Sequence, residues 1–268
     1  MKKYFLSAIV LAWGQIIFGQ ANDFRNPSID VQHYDFKIKL SDADDHIEGE
    51  AVIQVKFLKN STSLAFDLTQ KNSSGKGMVV SSVKEKDQSL NFSQEQNILK
   101  ITLSNNANVG DIREFEIVYA GVPSDGMIIS RNKFGKRTFF ADNWPNRAHN
   151  WIPCNDHPSD KASVEFEVTA PAHYQVVGNG ILIEETTIDE KSKFTHWKED
   201  VVIPTKVMAI GVAEFAIHYS GNVGNVPVYS WVFPENKKEG FYDYDQAPDI
   251  MPFYISKFGP YPYLKLAN

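Results

Sequence analysis

The stretch Tyr34-Asp35-Phe36-Lys37-Ile38-Lys39-Leu40 decides the fold class. Its apolar residues Tyr34, Phe36, Ile38 and Leu40 occupy alternate positions, with Asp35, Lys37 and Lys39 between them. Successive side chains of a strand point to opposite faces, so a period of two puts one face in a core and the other in water. After the turn Ser41-Asp42-Ala43-Asp44-Asp45 the pattern resumes. Ile47, Ala51, Ile53, Val55 and Phe57 are interleaved with Glu48, Glu50, Gln54 and Lys56, which predicts a long hairpin.

Working outward, shorter strands are predicted at 64–68, 79–83, 99–103, 115–119 and 138–140, then at 164–168, 174–177, 181–184, 194–197 and 207–212. Asn, Ser and Gly clusters separate them, the signature of a mainly β, multi-sheet antiparallel sandwich. A chain of 268 residues is long enough for one large β domain or for two domains. The polar stretch Gly221-Asn222-Val223-Gly224-Asn225 precedes a strand at 226–232, and the character then changes. Residues 241–258 look helical, with Tyr244, Ile250, Phe253, Tyr254 and Phe258 available for an apolar face, although Pro248 and Pro252 weigh against an unbroken helix. The chain therefore divides into a β domain at 22–221 and the beginning of a second domain at 222–268. So short a second part cannot build an α/β domain alone, and its helix face is expected to be exposed.

The N-terminus has the form of a secretory signal at 1–21: Lys2 and Lys3, an apolar run from Phe5 to Phe18, and the small-x-small site Gly19-Gln20-Ala21. The apolar run is short for a membrane span and Gln15 interrupts it, so export with cleavage is expected and stable membrane insertion is not. Cys154 is the single cysteine, which rules out an intrachain disulfide and suits a bacterial periplasmic or cell-surface protein. The net charge of −6, without basic clusters, argues against nucleic acid as a partner.

One loop stands apart. The run Trp144-Pro145-Asn146-Arg147-Ala148-His149-Asn150-Trp151-Ile152-Pro153-Cys154-Asn155-Asp156-His157-Pro158-Ser159-Asp160-Lys161-Ala162 is crowded with rigid, aromatic and charged residues that can fix one another. Asp142, Asn143 and Trp144, which open it, are the candidates for substrate binding: a carboxylate can pair with an ammonium and an indole can line an apolar pocket. For Trp144 alone, a core tryptophan beside a capped turn is the plainer alternative. Asp156 and Asp160 with Lys161 are expected to hold the loop to its neighbours. None of the seven histidines has a partner at i+4, no Gly-x-Ser-x-Gly elbow occurs, and no phosphate-cradling glycine loop is present. No catalytic residue and no metal ligand is assigned.

Four stretches, in order, resemble the aminopeptidase N family of zinc aminopeptidases, peptidase family M1, the gluzincins that include leukotriene hydrolase. Residues 151–158 with Lys161-Ala162 resemble its Arg-x-x-x-Pro-Cys-x-Asp-x-Pro loop, and Val176-Val177-Gly178-Asn179-Gly180 its Ser-Asn-Gly turn. Residues 204–215 resemble its Pro-x-Tyr-Leu-x-Ala-x-x-x-Gly-x-Phe strand, and residues 258–266 its Phe-Gly-x-Tyr-Pro-x-x-Lys-Leu segment. The resemblance implies a saddle-shaped β-sandwich packed on a thermolysin-like α/β catalytic domain, of which this chain holds only the truncated start.

It further implies zinc and peptide hydrolysis in the full-length protein, with peptide substrates and the downstream catalytic domain as partners. This chain would then form one wall of the cleft and be inactive alone. In the family a Gln or Glu, about nine residues before the Pro of the Pro-Cys pair, binds the substrate amine. Here that count falls on Trp144, with Asp142 and Asn143 beside it, and Asp142 is the residue able to replace it. The alternative is an exported, non-catalytic β-sandwich that binds peptides or a protein.

Overall fold

In the computed structural model, which describes residues 26–268, the alternating stretch lies in strand β1, Ile29–Lys39, which pairs antiparallel with β2, Ile47–Phe57. Tyr34 stands opposite Ile53 and Phe36 opposite Ala51, so both strands turn their apolar residues to one side. The expected signal at 1–21 lies outside the described residues. The chain continues through β3 (Ser61–Asp67), β4 (Gly77–Glu85), β5 (Gln88–Ser89), β6 (Phe92–Glu95), β7 (Ile98–Ala107) and β8 (Ile112–Val122). Next come β9 (Met127–Arg131), β10 (Arg137–Ala141), β11 (Lys161–Pro171), β12 (Gln175–Gly178), β13 (Ile181–Thr187) and β14 (Ser192–Pro204). Strands β15 (Ile210–Ala213), β16 (Ala216–Val223) and β17 (Val226–Val232), helices α1 (Lys237–Tyr244) and α2 (Ala247–Phe258), and strand β18 (Leu266–Ala267) complete it.

The largest sheet has eight strands in the order β13-β14-β11-β1-β2-β8-β4-β5. Most pairings are antiparallel, but β1 and β11 run parallel, which the long connection through residues 40–160 permits. On the inner face Tyr34, Phe36 and Phe166 stack at centroid separations of 5.2 and 5.6 Å. On the outer face Lys37 pairs with Glu50 and Lys84 with Glu116, exposed contacts that contribute little to stability. The sheet β3-β7-β6 adds Leu64, Phe66, Leu99 and Ile101 to the same core, and the sheet β12-β15-β10-β9 adds Phe139, Val176, Ile210 and Val212. This is the expected β-sandwich.

Two local expectations need correction. The strand predicted at 207–212 starts later: Thr205–Val207 is a 3-10 turn and β15 begins at Ile210. The Asn179 side chain takes the place of a neighbouring strand there, donating to Val207 O at 3.0 Å and accepting from Ala209 N at 2.6 Å. The helix predicted over 241–258 is two helices, broken at Asp245-Gln246. Pro248 lies in the first turn of α2, where its missing N–H costs no intrahelical bond.

Strands β16 and β17 form a hairpin, with Ala216 opposite Val232, and β18 joins β17 in parallel. Residue 222, where the sequence changes character, falls inside this hairpin. Met251 is the buried residue of α2. Tyr244, Ile250, Phe253, Tyr254 and Phe258 are all exposed, Phe258 by 82 %. An apolar patch of that kind drives association in water. Residues 22–268 are therefore expected to self-associate with rising concentration, and the double substitution Phe253→Ser and Phe258→Ser to reduce this without changing the β-rich circular dichroism. Sedimentation velocity checks both; a wild-type profile independent of concentration would contradict the expectation.

Candidate functional site

Residues 142–160 leave β10 and return at β11, crossing the open end of the sandwich. Much of this loop is buried, so its polar groups need partners. Asn143 supplies several. Its Nδ2 donates to Thr205 O at 3.1 Å and Met208 O at 2.7 Å, and its Oδ1 accepts from Trp151 Nε1 at 2.8 Å. Of the three sequence candidates, Asn143 is thus the one turned inward and committed to the protein. Trp151 is the core tryptophan, fully buried and stacked on Phe166 at 6.3 Å.

Trp144 points the other way. It is 61 % exposed, and Lys206 Nζ sits 4.4 Å from its ring centroid, a cation on the π face. Asp142 is also exposed, and its Oδ2 pairs with Arg147 Nη2 at 2.5 Å. Arg147 further donates from Nε to Trp144 O at 2.6 Å and from Nη1 to Asp125 Oδ1 at 3.2 Å. One guanidinium therefore ties the backbone of Trp144 to two carboxylates. Sequence reasoning left this role of Arg147 unassigned; its position five residues after Asp142, within a turn, was the available signal.

Deeper in the loop, His149 Nδ1 lies 2.6 Å from Asp156 Oδ2, whose side chain is only 3 % exposed. Asp156 Oδ1 accepts from Thr205 Oγ1 at 2.7 Å, and Asp156 N donates to Asp67 Oδ2 at 2.9 Å. Burial disfavours a charged His149 ring, but the Asp156 hydrogen bond and the charges of Asp156, Asp67 and Asp125 outweigh it, so its pKa is raised. His149 stands four residues before Pro153, the place of Arg in the Arg-x-x-x-Pro-Cys pattern, and it is this residue rather than Arg147 that bonds Asp156. Asp160 accepts from Val31 N at 3.3 Å and from Asn155 Nδ2. Asp156 and Asp160 thus anchor the loop, as expected. Cys154 is fully buried, and burial with the nearby carboxylates pushes its thiol far up, which removes it as a nucleophile.

Beside this rim a groove of about 470 Å³ separates Ala141 and Val207 from Tyr261, Tyr263 and Lys265. Lys265 Nζ donates to Gly178 O at 2.6 Å and Gly180 O at 2.8 Å and lies 4.4 Å from the Trp197 ring centroid. Desolvation lowers its pKa to about 8 against the opposing pull of Glu199. Gly180 has φ +73°, and a Cβ there would meet Lys198 O at 1.8 Å, so this turn requires glycine. His33 and His196 both approach Glu165 on the outer sheet face, at 3.6 and 2.6 Å. Among the described residues no three His, Cys, Asp or Glu side chains form a group able to hold a metal ion.

The fold is that of a mainly antiparallel β-sandwich domain with a braced polar loop and an adjoining groove. The chain belongs to the Peptidase M1 N-terminal domain family, whose profile matches residues 30–207. It is 21 % identical to rat glutamyl aminopeptidase over 257 residues, covering 90 % of this chain and 27 % of that protein. It is 25 % identical to human glutamyl aminopeptidase over 119 residues, 44 % of this chain and 12 % of that protein.

The M1 zinc metallopeptidase of Deinococcus radiodurans superposes with a TM-score of 0.75 at 22 % identity, over 91 % of this chain and 56 % of that one. A mutant of the same enzyme bound to a Tyr-Ser-Ala substrate gives a TM-score of 0.74 at 22 % identity, over the same shares. At that identity the likeness establishes the fold. This chain spans about half the length of the solved relatives and far less of the curated ones.

Two substitutions separate strut from rim. Asn143→Ala leaves Trp151 Nε1 buried without its acceptor and is expected to cost about 2–4 kcal/mol in urea unfolding, whereas Trp144→Ala costs less than about 0.5 kcal/mol. Equal losses would contradict the assignment. Lys265 gives a pH test. A depressed pKa contributes stability that is fully present above the unfolded value of 10.5 and is lost as pH falls through about 8. Between these limits the wild type is expected to gain stability with pH relative to Lys265→Met; parallel pH profiles of the two proteins would show that Lys265 is not held as described.

Proposed function

We propose that this chain is the N-terminal part of an exported, periplasmic or cell-surface zinc aminopeptidase, that it forms one wall of the substrate cleft, and that it has no peptidase activity alone. Membership of the family, together with the exposed Asp142 carboxylate braced by Arg147, supports this reading. Asp142 accepts the substrate's terminal ammonium with the oxygen that faces solvent, while Arg147 holds its other oxygen. Trp144 takes the position where the family carries its amine-binding Gln or Glu, and offers a π face instead of a carboxylate. The β domain, 22–221, passes into the catalytic unit, 222–268 and beyond, through the β16–β17 hairpin. The exposed face of α2 is where the remainder of that unit packs.

Zinc, when bound to the whole protein, supplies Lewis acidity for hydrolysis. The described residues of this chain do not fit it, since no ligand set converges among them, and its seat lies in the downstream domain. What this chain contributes is binding and orientation. The alternative of a non-catalytic peptide- or protein-binding module has no observation in its favour.

The test has two parts. The coding sequence read past codon 268 should carry Gly-x-Met-Glu-Asn and then His-Glu-x-x-His in frame. The whole product should release nitroaniline from aminoacyl nitroanilides, lose this to a chelator and regain it with zinc, while residues 22–268 release none. Asp142→Ala in the whole product is expected to raise KM about tenfold, roughly 1.4 kcal/mol of binding, with kcat changed less. A folded whole product that is inert with zinc, or an Asp142→Ala enzyme with unchanged KM, contradicts the proposal.

A further inference from the structure

We propose that His149 is a positioning residue for the rim, and that the protonation of its imidazole sets where the Asp142–Trp144 segment stands. A continuous path of hydrogen bonds joins the two. His149 bonds Asp156 twice, through Nδ1 at 2.6 Å and through its backbone N at 3.2 Å. The other Asp156 oxygen holds Thr205 Oγ1, the carbonyl of Thr205 accepts from Asn143 Nδ2, and Asn143 Oδ1 accepts from Trp151 Nε1. Asn143 is flanked by Asp142 and Trp144. A change at the half-buried ring thus reaches the rim through three hydrogen bonds, by way of the buried Asp156, Thr205 and Asn143.

A carboxylate only accepts, so Nδ1 carries a proton in either state and the titrating nitrogen is Nε2. The ring lines a cavity of about 250 Å³ with Asp67, Asn146, Gln96, Asn97 and Asp156, which gives that nitrogen room for a proton. The charged groups facing it are Asp156 in its own loop, Asp67 at the end of β3, and Asp125 between β8 and β9. All are acidic. Burial also holds the Asp67 carboxyl above the usual carboxylate range.

His149 is the basic partner that the structure gives Asp156, while Arg147 is engaged by Asp125 and Asp142. When His149 loses its charge, Asp156 becomes a buried carboxylate without a counterion, a costly arrangement that relaxes by shifting its hydrogen-bond partners. Because the folded pKa is raised, the pairing is complete below the unfolded value of 6.5 and is lost as pH rises through the folded value.

The experiment is a pH titration of residues 22–268, following the His149 ring and the indole N–H of Trp151 and Trp144 by NMR. It needs no peptidase activity, so it stands apart from the proposed function, on which only the consequence for substrate binding rests. The Trp151 and Trp144 signals are expected to move with the same midpoint as the His149 ring, above pH 6.5. His149→Arg should hold the low-pH positions throughout, and His149→Gln the high-pH positions. A His149 ring that titrates while both indole signals stay fixed overturns the proposal, as does an indole shift that persists unchanged in either variant. The wild-type titration decides the matter even where a variant fails to fold.

Discussion

The structure depends on one constraint: a polar loop that closes a sandwich must satisfy its own hydrogen bonds inside the core. A buried donor or acceptor left alone costs more than a formed bond returns, and most buried polar groups in residues 142–160 are tied to specific partners, Asn155 Oδ1 being an exception. Asn143 joins Trp151 to the 205–208 turn, Asp156 joins His149 to Thr205 and, through its backbone N–H, to Asp67, and Cys154 exchanges both backbone bonds with Asp67. The apolar face of Trp151 then packs on Phe166 and becomes part of the core. The rim at Asp142 and Trp144 is held in place because everything behind it is committed.

The charges fall into two tiers. Asp156, Asp160 and Asp67 lie inward, where their hydrogen bonds hold the loop to β1, β3 and the 205–208 turn. Asp142 and Asp125 lie outward around Arg147, where water screens them. This division gives the loop a fixed inner part and an exposed, charged outer part. Across the groove Lys265 fixes the C-terminal segment to the turn at Gly178-Asn179-Gly180, so both walls of the groove are anchored by buried polar contacts.

The sandwich was legible because its strands alternate cleanly, with Tyr34, Phe36 and Ile38 inward and Lys37 and Lys39 outward. The helical region was legible in outline, but the break at Asp245-Gln246 was not, since periodicity alone continued across it. In the loop, composition signalled that something was built there, yet it did not sort Trp144 from Trp151. Trp151 is the buried one because Asn143 reaches its indole nitrogen across eight residues, a tertiary contact without a local signature. The delayed start of β15 has the same origin, as the Asn179 side chain replaces a strand that sequence patterns expect to be backbone. Lys265 carries no local cue to its role until the fold brings two glycine carbonyls to it.

The central claim is that the rim is rigid because the loop behind it is part of the core, and amide hydrogen exchange of residues 22–268 tests it most directly. The amides of Arg147, Trp151, Ile152 and Cys154, each bonded to a backbone carbonyl, should exchange only with global unfolding, at the rate of the β1–β2 ladder. Exchange of these four amides by local opening, while the ladder stays protected, would contradict the account and leave the rim a mobile surface loop.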